Sequence, residues 1–124
     1  MGVGVDIMAI SKISDSLNIG ETAYNSFINK VFTENEINEA GKRPDKQTYF
    51  ASRFAAKEAV FKSLGIGGFK ISLKDLEILC DDNGCPYVNL RGDIKKIAET
   101  KNIRKVEISL SHDDVYVIAF ALSL

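Results

Sequence analysis

Apolar residues recur along the chain at spacings that separate strands from helices. Gly2-Val3-Gly4-Val5-Asp6 reads as an opening strand. Ile10, Ile13 and Leu17 then fall at helical spacing, which predicts a helix over Ile7–Leu17. Tyr24, Phe27, Ile28 and Val31 predict more helix within Ile19–Val31. Thr33-Glu34-Asn35-Glu36 has the form of a capping box, with the Thr hydroxyl and Glu36 closing the first turn of a short helix. Gly41–Lys46 is a polar break, and a long helix is expected from about Gln47 to Leu64, closed by Gly65. Gly65, Gly67 and Gly68 form a connector.

The second half reads as two hairpins around a helix. Leu76–Cys80 and Cys85–Leu90 flank Asp81-Asp82-Asn83-Gly84, where Asn-Gly signals a tight turn. Asp93–Thr100 is a short helix, and Val106–Ser111 pairs with Val115–Leu122 around His112-Asp113-Asp114. The last strand carries almost no polar residue, so it is expected to be central and covered on both faces. Hairpin-linked strands with helices between them predict an α+β fold, an antiparallel sheet with a long helix packed on it, in one domain spanning 1–124.

Composition narrows the functional classes. The chain has 124 residues, 45% of them hydrophobic, and a net charge of −1. A near-neutral balance gives no reason to expect nucleic-acid or anionic-membrane binding, so an anionic ligand must be held by a local group of cations. No run approaches a membrane span, and a cytoplasmic protein is the expectation. The two cysteines, Cys80 and Cys85, are too few for a disulfide framework or a zinc site. They flank the hairpin turn, where a cross-strand disulfide is conceivable, but reduced, half-buried thiols are expected.

Candidate chemistry gathers on the helix Arg53-Phe-Ala-Ala-Lys-Glu-Ala-Val-Phe-Lys-Ser-Leu-Gly65. Phe50, Phe54, Phe61 and Leu64 are expected to share one apolar stripe, with Lys57 inside it and Glu58 and Lys62 along its edge. Lys57 is expected to lay its stem on the core and reach solvent with its ammonium. Glu58 and Lys62 stand in the favourable order for an i,i+4 ion pair. Asp6 either caps the following helix or supplies an acid at a strand end. Paired with Glu58 it would make a magnesium site, since hard oxygen ligands hold the ion while it recruits substrate phosphates. Lys62 and Arg53 would neutralise those phosphates. His112 is the only histidine and sits at a turn, solvated or donating to a phosphate. Lys42, Arg43 and Lys46 are either a solvated loop or a phosphate contact. No Gly-x-Ser-x-Gly elbow accompanies His112.

Several stretches together resemble the holo-acyl-carrier-protein synthase family of 4′-phosphopantetheinyl transferases. They are Gly-Val-Gly-Val-Asp-Ile at the start, Phe32-Thr-Glu-Asn-Glu-Ile37, Arg53-Phe-Ala-Ala-Lys-Glu-Ala59, Asp82-Asn-Gly-Cys-Pro-Tyr87 and Ile108-Ser-Leu-Ser-His-Asp113. The resemblance implies transfer of phosphopantetheine from coenzyme A to a serine of apo acyl carrier protein, in fatty acid biosynthesis and related lipid metabolism, with release of adenosine 3′,5′-bisphosphate. It implies that Asp6 and Glu58 ligate Mg2+, that Lys62 meets the pyrophosphate, and that Glu58 or a metal-bound water accepts the serine proton. Arg53, Arg43, Lys46, His112 and Gly65 would hold the nucleotide. Homotrimers with sites between subunits are implied as well. The family's first helix is usually arginine-rich; here it offers Lys12 and Lys30 alongside Asp15 and Glu21, so docking of an acidic carrier helix would lean on Ile13 and Leu17. Other readings are a magnesium-dependent nucleotide enzyme with another acceptor, a non-catalytic coenzyme A- or carrier-binding module, and a plain trimeric interaction domain.

Overall fold

A computed structural model describes residues 1–67 and 70–124, with their side chains except those of Leu17 and Asn18. Gly68 of the predicted connector and the Leu17 side chain therefore lie outside the described residues. The order is β1 (Gly2–Ala9), α1 (Ser11–Ile19), α2 (Glu21–Val31), α3 (Glu34–Gly41), α4 (Lys46–Leu64), β2 (Leu76–Cys80), β3 (Pro86–Leu90), α5 (Gly92–Thr100), β4 (Val106–His112) and β5 (Tyr116–Ser123). The strands form an antiparallel sheet in the order β1-β5-β4 and a separate β2-β3 hairpin. The α+β architecture is the one expected from sequence.

β1 is longer than its predicted span and displaces the helix expected from Ile7. Its eight residues pair with β5 from Gly2↔Ser123 to Ala9↔Tyr116. Alternation continues through the extra residues: Met8 is buried while Ile7 is 63% exposed. A full ladder with one buried face outweighs the helical spacing of a few isoleucines. The helix instead starts at Ser11, so Asp6 is a mid-strand residue and caps nothing.

α4 lies against β1 and β5, and this contact organises the molecule. Its approach to β1 depends on missing side chains. A Cβ on Gly4 would stand 1.9 Å from the Ala59 carbonyl oxygen, and one on Gly2 would stand 2.0 Å from that of Ser63. The facing residues of β5, Val117, Ala119 and Ala121, are fully buried. α4 is buried almost all round, which divides the apolar stripe expected from sequence. Phe50 and Leu64 are buried, whereas Phe54 and Phe61 lie half-buried with Glu58, beside exposed Lys62. Small residues, Ala51, Ala55, Ala56 and Ala59, make the closest packing instead.

Lys57 does not snorkel. It is fully buried and its ammonium donates to Glu36 Oε1 at 2.8 Å and to the carbonyls of Leu73 and Leu76 at 2.9 Å each. Glu36 belongs to the capping box, which forms as predicted: Thr33 N donates to Glu36 Oε1 at 2.8 Å, and Glu36 N donates to Thr33 Oγ1 at 3.2 Å. Glu36 Oε2 also accepts from Ile78 N at 2.9 Å. One buried ion pair thus ties α3, α4 and β2 together with every ammonium proton used.

β5 is central, as expected, but only its inner face is covered within the chain. On the outer face Ile118 and Phe120 are 42% and 46% exposed, next to Val3, Val5 and Ile7 of β1.

Candidate active site

Asp6 and Glu58 come together where β1 crosses α4. Asp6 follows Gly4 on the inner face of the strand, and Glu58 precedes Ala59, whose carbonyl Gly4 approaches. Burial pushes the Glu58 carboxyl above its ordinary value, the Asp6 charge pushes it further, and Lys62 opposes both. Lys62 does not make the predicted pair with Glu58. It turns across to β1 and donates to the Val5 carbonyl at 3.0 Å and to Asp6 Oδ1 at 3.2 Å. Phe54 and Phe61 flank Glu58 one turn away on either side, and their half-buried rings keep part of its surroundings apolar.

Two carboxylates that repel one another, with a cation beside them, suit a hard divalent ion. Magnesium needs only one or two protein carboxylates when substrate phosphates and water complete its shell. Among the described residues no group of three or more histidine, cysteine or carboxylate side chains is placed to hold a metal by itself. Asp6 and Glu58 are the two carboxylates that could hold such an ion.

The remaining predicted residues divide between two places. A cleft of about 380 Å³ is lined by Arg43, Arg53, Ser52, Tyr49 and His112, with Asp45, Asp113 and Asp114 at its rim. Arg53 is buried, its guanidinium stacked 4.3 Å above the Tyr49 ring and donating to Ser52 Oγ at 3.0 Å. Arg43 lies 5.5 Å from the same ring and donates to Glu39 at 3.2 Å. Burial raises the Tyr49 hydroxyl to about 12, so it stays a neutral donor. His112 ends β4 and is exposed. Lys42 and Lys46 do not line this cleft; both are exposed, and Lys46 begins α4. Gly65 caps α4 at φ 64° beside Lys62 and Lys101. Tyr49, Ser52 and Cys80 were not among the predicted residues. Tyr49 carries a readable signal, since it stands four residues before Arg53 on one helix face.

The cleft and the carboxylates are on different sides of α4. Arg53 and Glu58 are five residues apart, about 140° around the helix axis.

A family model described as the 4'-phosphopantetheinyl transferase superfamily matches residues 2–121. The holo-[acyl-carrier-protein] synthase of Halothermothrix orenii is 36% identical over 122 residues, covering 98% of this chain and 94% of that protein. The fatty acid synthase subunit alpha of Saccharomyces cerevisiae is 41% identical over 124 residues, 98% of this chain but only 6% of that polypeptide. Among solved structures, the Helicobacter pylori holo-[acyl-carrier-protein] synthase in complex with coenzyme A superposes with a TM-score of 0.83 at 28% identity, covering 98% of this chain and 99% of the other. With its fold, its paired carboxylates and these relatives, the chain belongs to the 4′-phosphopantetheinyl transferase superfamily.

Proposed function

We propose that this protein transfers 4′-phosphopantetheine from coenzyme A to a serine of an apo acyl carrier protein, releasing adenosine 3′,5′-bisphosphate. The observation that carries the reading is the convergence of Asp6, Glu58 and Lys62 at the β1–α4 crossing. Phosphoryl transfer asks above all for charge neutralisation, and this site offers it without a protein nucleophile.

Asp6 and Glu58 would hold Mg2+, which supplies Lewis-acid neutralisation of the pyrophosphate when bound. Lys62 is pre-positioned by Val5 and Asp6, so its ammonium is a fixed point charge for the departing bisphosphate. The serine oxygen attacks the phosphorus on the pantetheine side, the bridging P–O bond breaks, and the bond electrons leave with the bisphosphate. Glu58, directly or through a neighbouring water, would take the serine proton. Phe54 and Phe61 limit water around it.

Arg43, Arg53 and His112 then receive the nucleotide in the cleft, including its 3′-phosphate. Their position on the far side of α4 supports a site completed by a second copy, whose cleft faces the first copy's carboxylates. The bare outer face bearing Val3, Val5, Ile7, Ile118 and Phe120 supports self-association, for which we propose a homotrimer. No described helix is long and apolar enough to cross a membrane, and a cytoplasmic location is part of the proposal.

The test is the intact mass of an apo acyl carrier protein incubated with this protein, coenzyme A and magnesium, with EDTA as control. A magnesium-dependent gain of one phosphopantetheine unit is expected. No gain with several carrier proteins at high enzyme concentration refutes transfer and leaves a coenzyme A-binding module.

A further inference from the structure

We propose that Cys80 is a modifiable thiol that controls the nucleotide cleft through the two arginines resting on its sulfur; the coupling, though not the thiol's reactivity, rests on the cleft assignment proposed above. Cys80 Sγ accepts from Arg53 Nη2 at 3.0 Å and lies 3.9 Å from Arg43 Nη2. The two cysteines differ sharply in surroundings. Cys80 is half-buried at the end of β2, whereas Cys85 is exposed, and among the described residues no cation contacts its sulfur. The register sets Cys80 opposite Pro86, so the two thiols are not cross-strand partners in the ladder.

The sulfur is reachable. It lines a pocket of about 450 Å³ together with Arg43, Arg53, Cys85 and Glu107. Arg43 and Arg53 also line the 380 Å³ cleft that holds His112, so the same two side chains form the wall between thiol and nucleotide site. Arg53 is 7% exposed, and among the described residues its Nε has no hydrogen-bond partner. A buried guanidinium with an unused donor is a cation still lacking part of its acceptor set.

These groups suit thiol–disulfide exchange with a small anionic disulfide. Negative charge is spread over the attacking and leaving sulfurs as the bond exchanges, and fixed guanidinium groups stabilise it. In glutathione disulfide the carboxylates match Arg43 and Arg53. Cys80 loses its thiol proton to solvent and its sulfur attacks one sulfur of the disulfide. The S–S bond breaks, a Cys80–glutathione bond forms, and the departing thiolate takes up a proton. Cys80 is oxidised and half of the disulfide reduced, so the step balances. The bound carboxylates then occupy the arginines that phosphates would use.

The experiment uses the Cys85→Ser and Cys80→Ser proteins with glutathione disulfide. Adduct formation is followed by intact mass and peptide mapping. Affinity for adenosine 3′,5′-bisphosphate is measured calorimetrically before and after, since the thiol of coenzyme A would itself reverse the adduct. The expected result is one adduct on Cys80, formed faster than that on Cys85 in the Cys80→Ser protein. Kd should rise roughly tenfold, the worth of one charge-assisted hydrogen bond, and return on reduction. Equal or faster reaction at Cys85, or an adduct on Cys80 with unchanged Kd, overturns the proposal. If the untreated protein already fails to bind the bisphosphate, the cleft assignment falls and takes the coupling with it, while the relative labelling rates still judge the thiol.

Discussion

Replacing Gly4 by alanine tests the contact that brings the two carboxylates together. The added methyl would stand 1.9 Å from the Ala59 carbonyl oxygen and 2.8 Å from Ser63 N, against 3.4–4 Å for an ordinary contact. Relief requires a separation of about 1.5 Å between β1 and α4 (3.4 minus 1.9). Both clashing groups are backbone of regular elements, so neither can swing aside. Overpacking usually costs about 1–3 kcal/mol, and backbone against backbone belongs at the upper end. For a domain of this size about 3 kcal/mol corresponds to a fall in Tm of roughly 10–15 °C. The same displacement carries Asp6 away from Glu58, so the rise in Tm expected of the wild type with magnesium plus coenzyme A should also vanish. Differential scanning calorimetry with and without ligands reads both effects. Gly41→Ala is the control: Gly41 ends α3 with nothing within 4 Å of its built Cβ. That change should be neutral or stabilise by up to about 1 kcal/mol. A Gly4→Ala protein melting within about 2 °C of wild type, at the resolution such a shift carries, would refute the close β1–α4 packing.

Four further outcomes follow from the same structure. Glu58→Gln should abolish most phosphopantetheine transfer in the mass assay while leaving Tm unchanged or raised, because it removes a half-buried charge facing Asp6; substantial loss of stability would assign Glu58 a structural role instead. Lys57→Met should cost about 3–5 kcal/mol in urea unfolding, since it leaves Glu36 charged and buried without its partner; a cost below about 1 kcal/mol would refute the ion pair. Burial acts to raise the Glu77 carboxyl, but hydrogen bonds from Thr33, Asn89 and Asn35 and the charge of Arg91 outweigh it and hold the group below its ordinary 4.5. Its folded value is the depressed one, so Glu77 contributes stability above pH 4.5 that is lost as pH falls through the folded value; Glu77→Gln should flatten that part of the acid unfolding profile, and an unaltered slope would refute it. Lys12→Glu, on the exposed side of α1, should raise KM for the carrier protein and spare that for coenzyme A; equal effects on both would remove α1 from carrier docking.

Local signals made most of the elements legible. The Thr33–Glu36 capping box, the Asn83-Gly84 turn and the Gly65 helix stop each depend on neighbours a few residues away, and each formed. Asp6, Glu58 and Lys62 form no single motif, and only the family resemblance set them together. Lys62 prefers Asp6, 56 positions distant, to Glu58 on its own helix, because β1 crosses α4 at that turn. Glu36 and Lys57 are separated by 21 positions, and nothing periodic marks the buried bond between them. A lysine between phenylalanines looks amphipathic until α3 supplies a carboxylate from above. The split of Phe54 and Phe61 from Phe50 was equally hidden, because which side of α4 is buried depends on where the sheet lies. The outer face of β5 has the composition of an interior, and single-chain packing does not use it as one.

The position of β5 also governs when the molecule can become itself. Gly2 pairs with Ser123, 121 positions along the chain, and β5 must lie between β1 and β4. A nascent chain emerging from the ribosome can close α3 on α4 and fold the β2–β3 hairpin early, because those contacts are local. It cannot assemble the three-stranded sheet until residues 116–123 arrive. Until then β1 waits with an unpaired edge and with Val3, Val5 and Ile7 uncovered, the state most open to chaperones and to misassociation with other chains. Closing so long a loop adds little to the final free energy but slows the search. Variants that weaken β5 should therefore lower the yield of folded protein during synthesis by more than their equilibrium destabilisation implies, a difference that comparing expression yield with refolded stability would reveal.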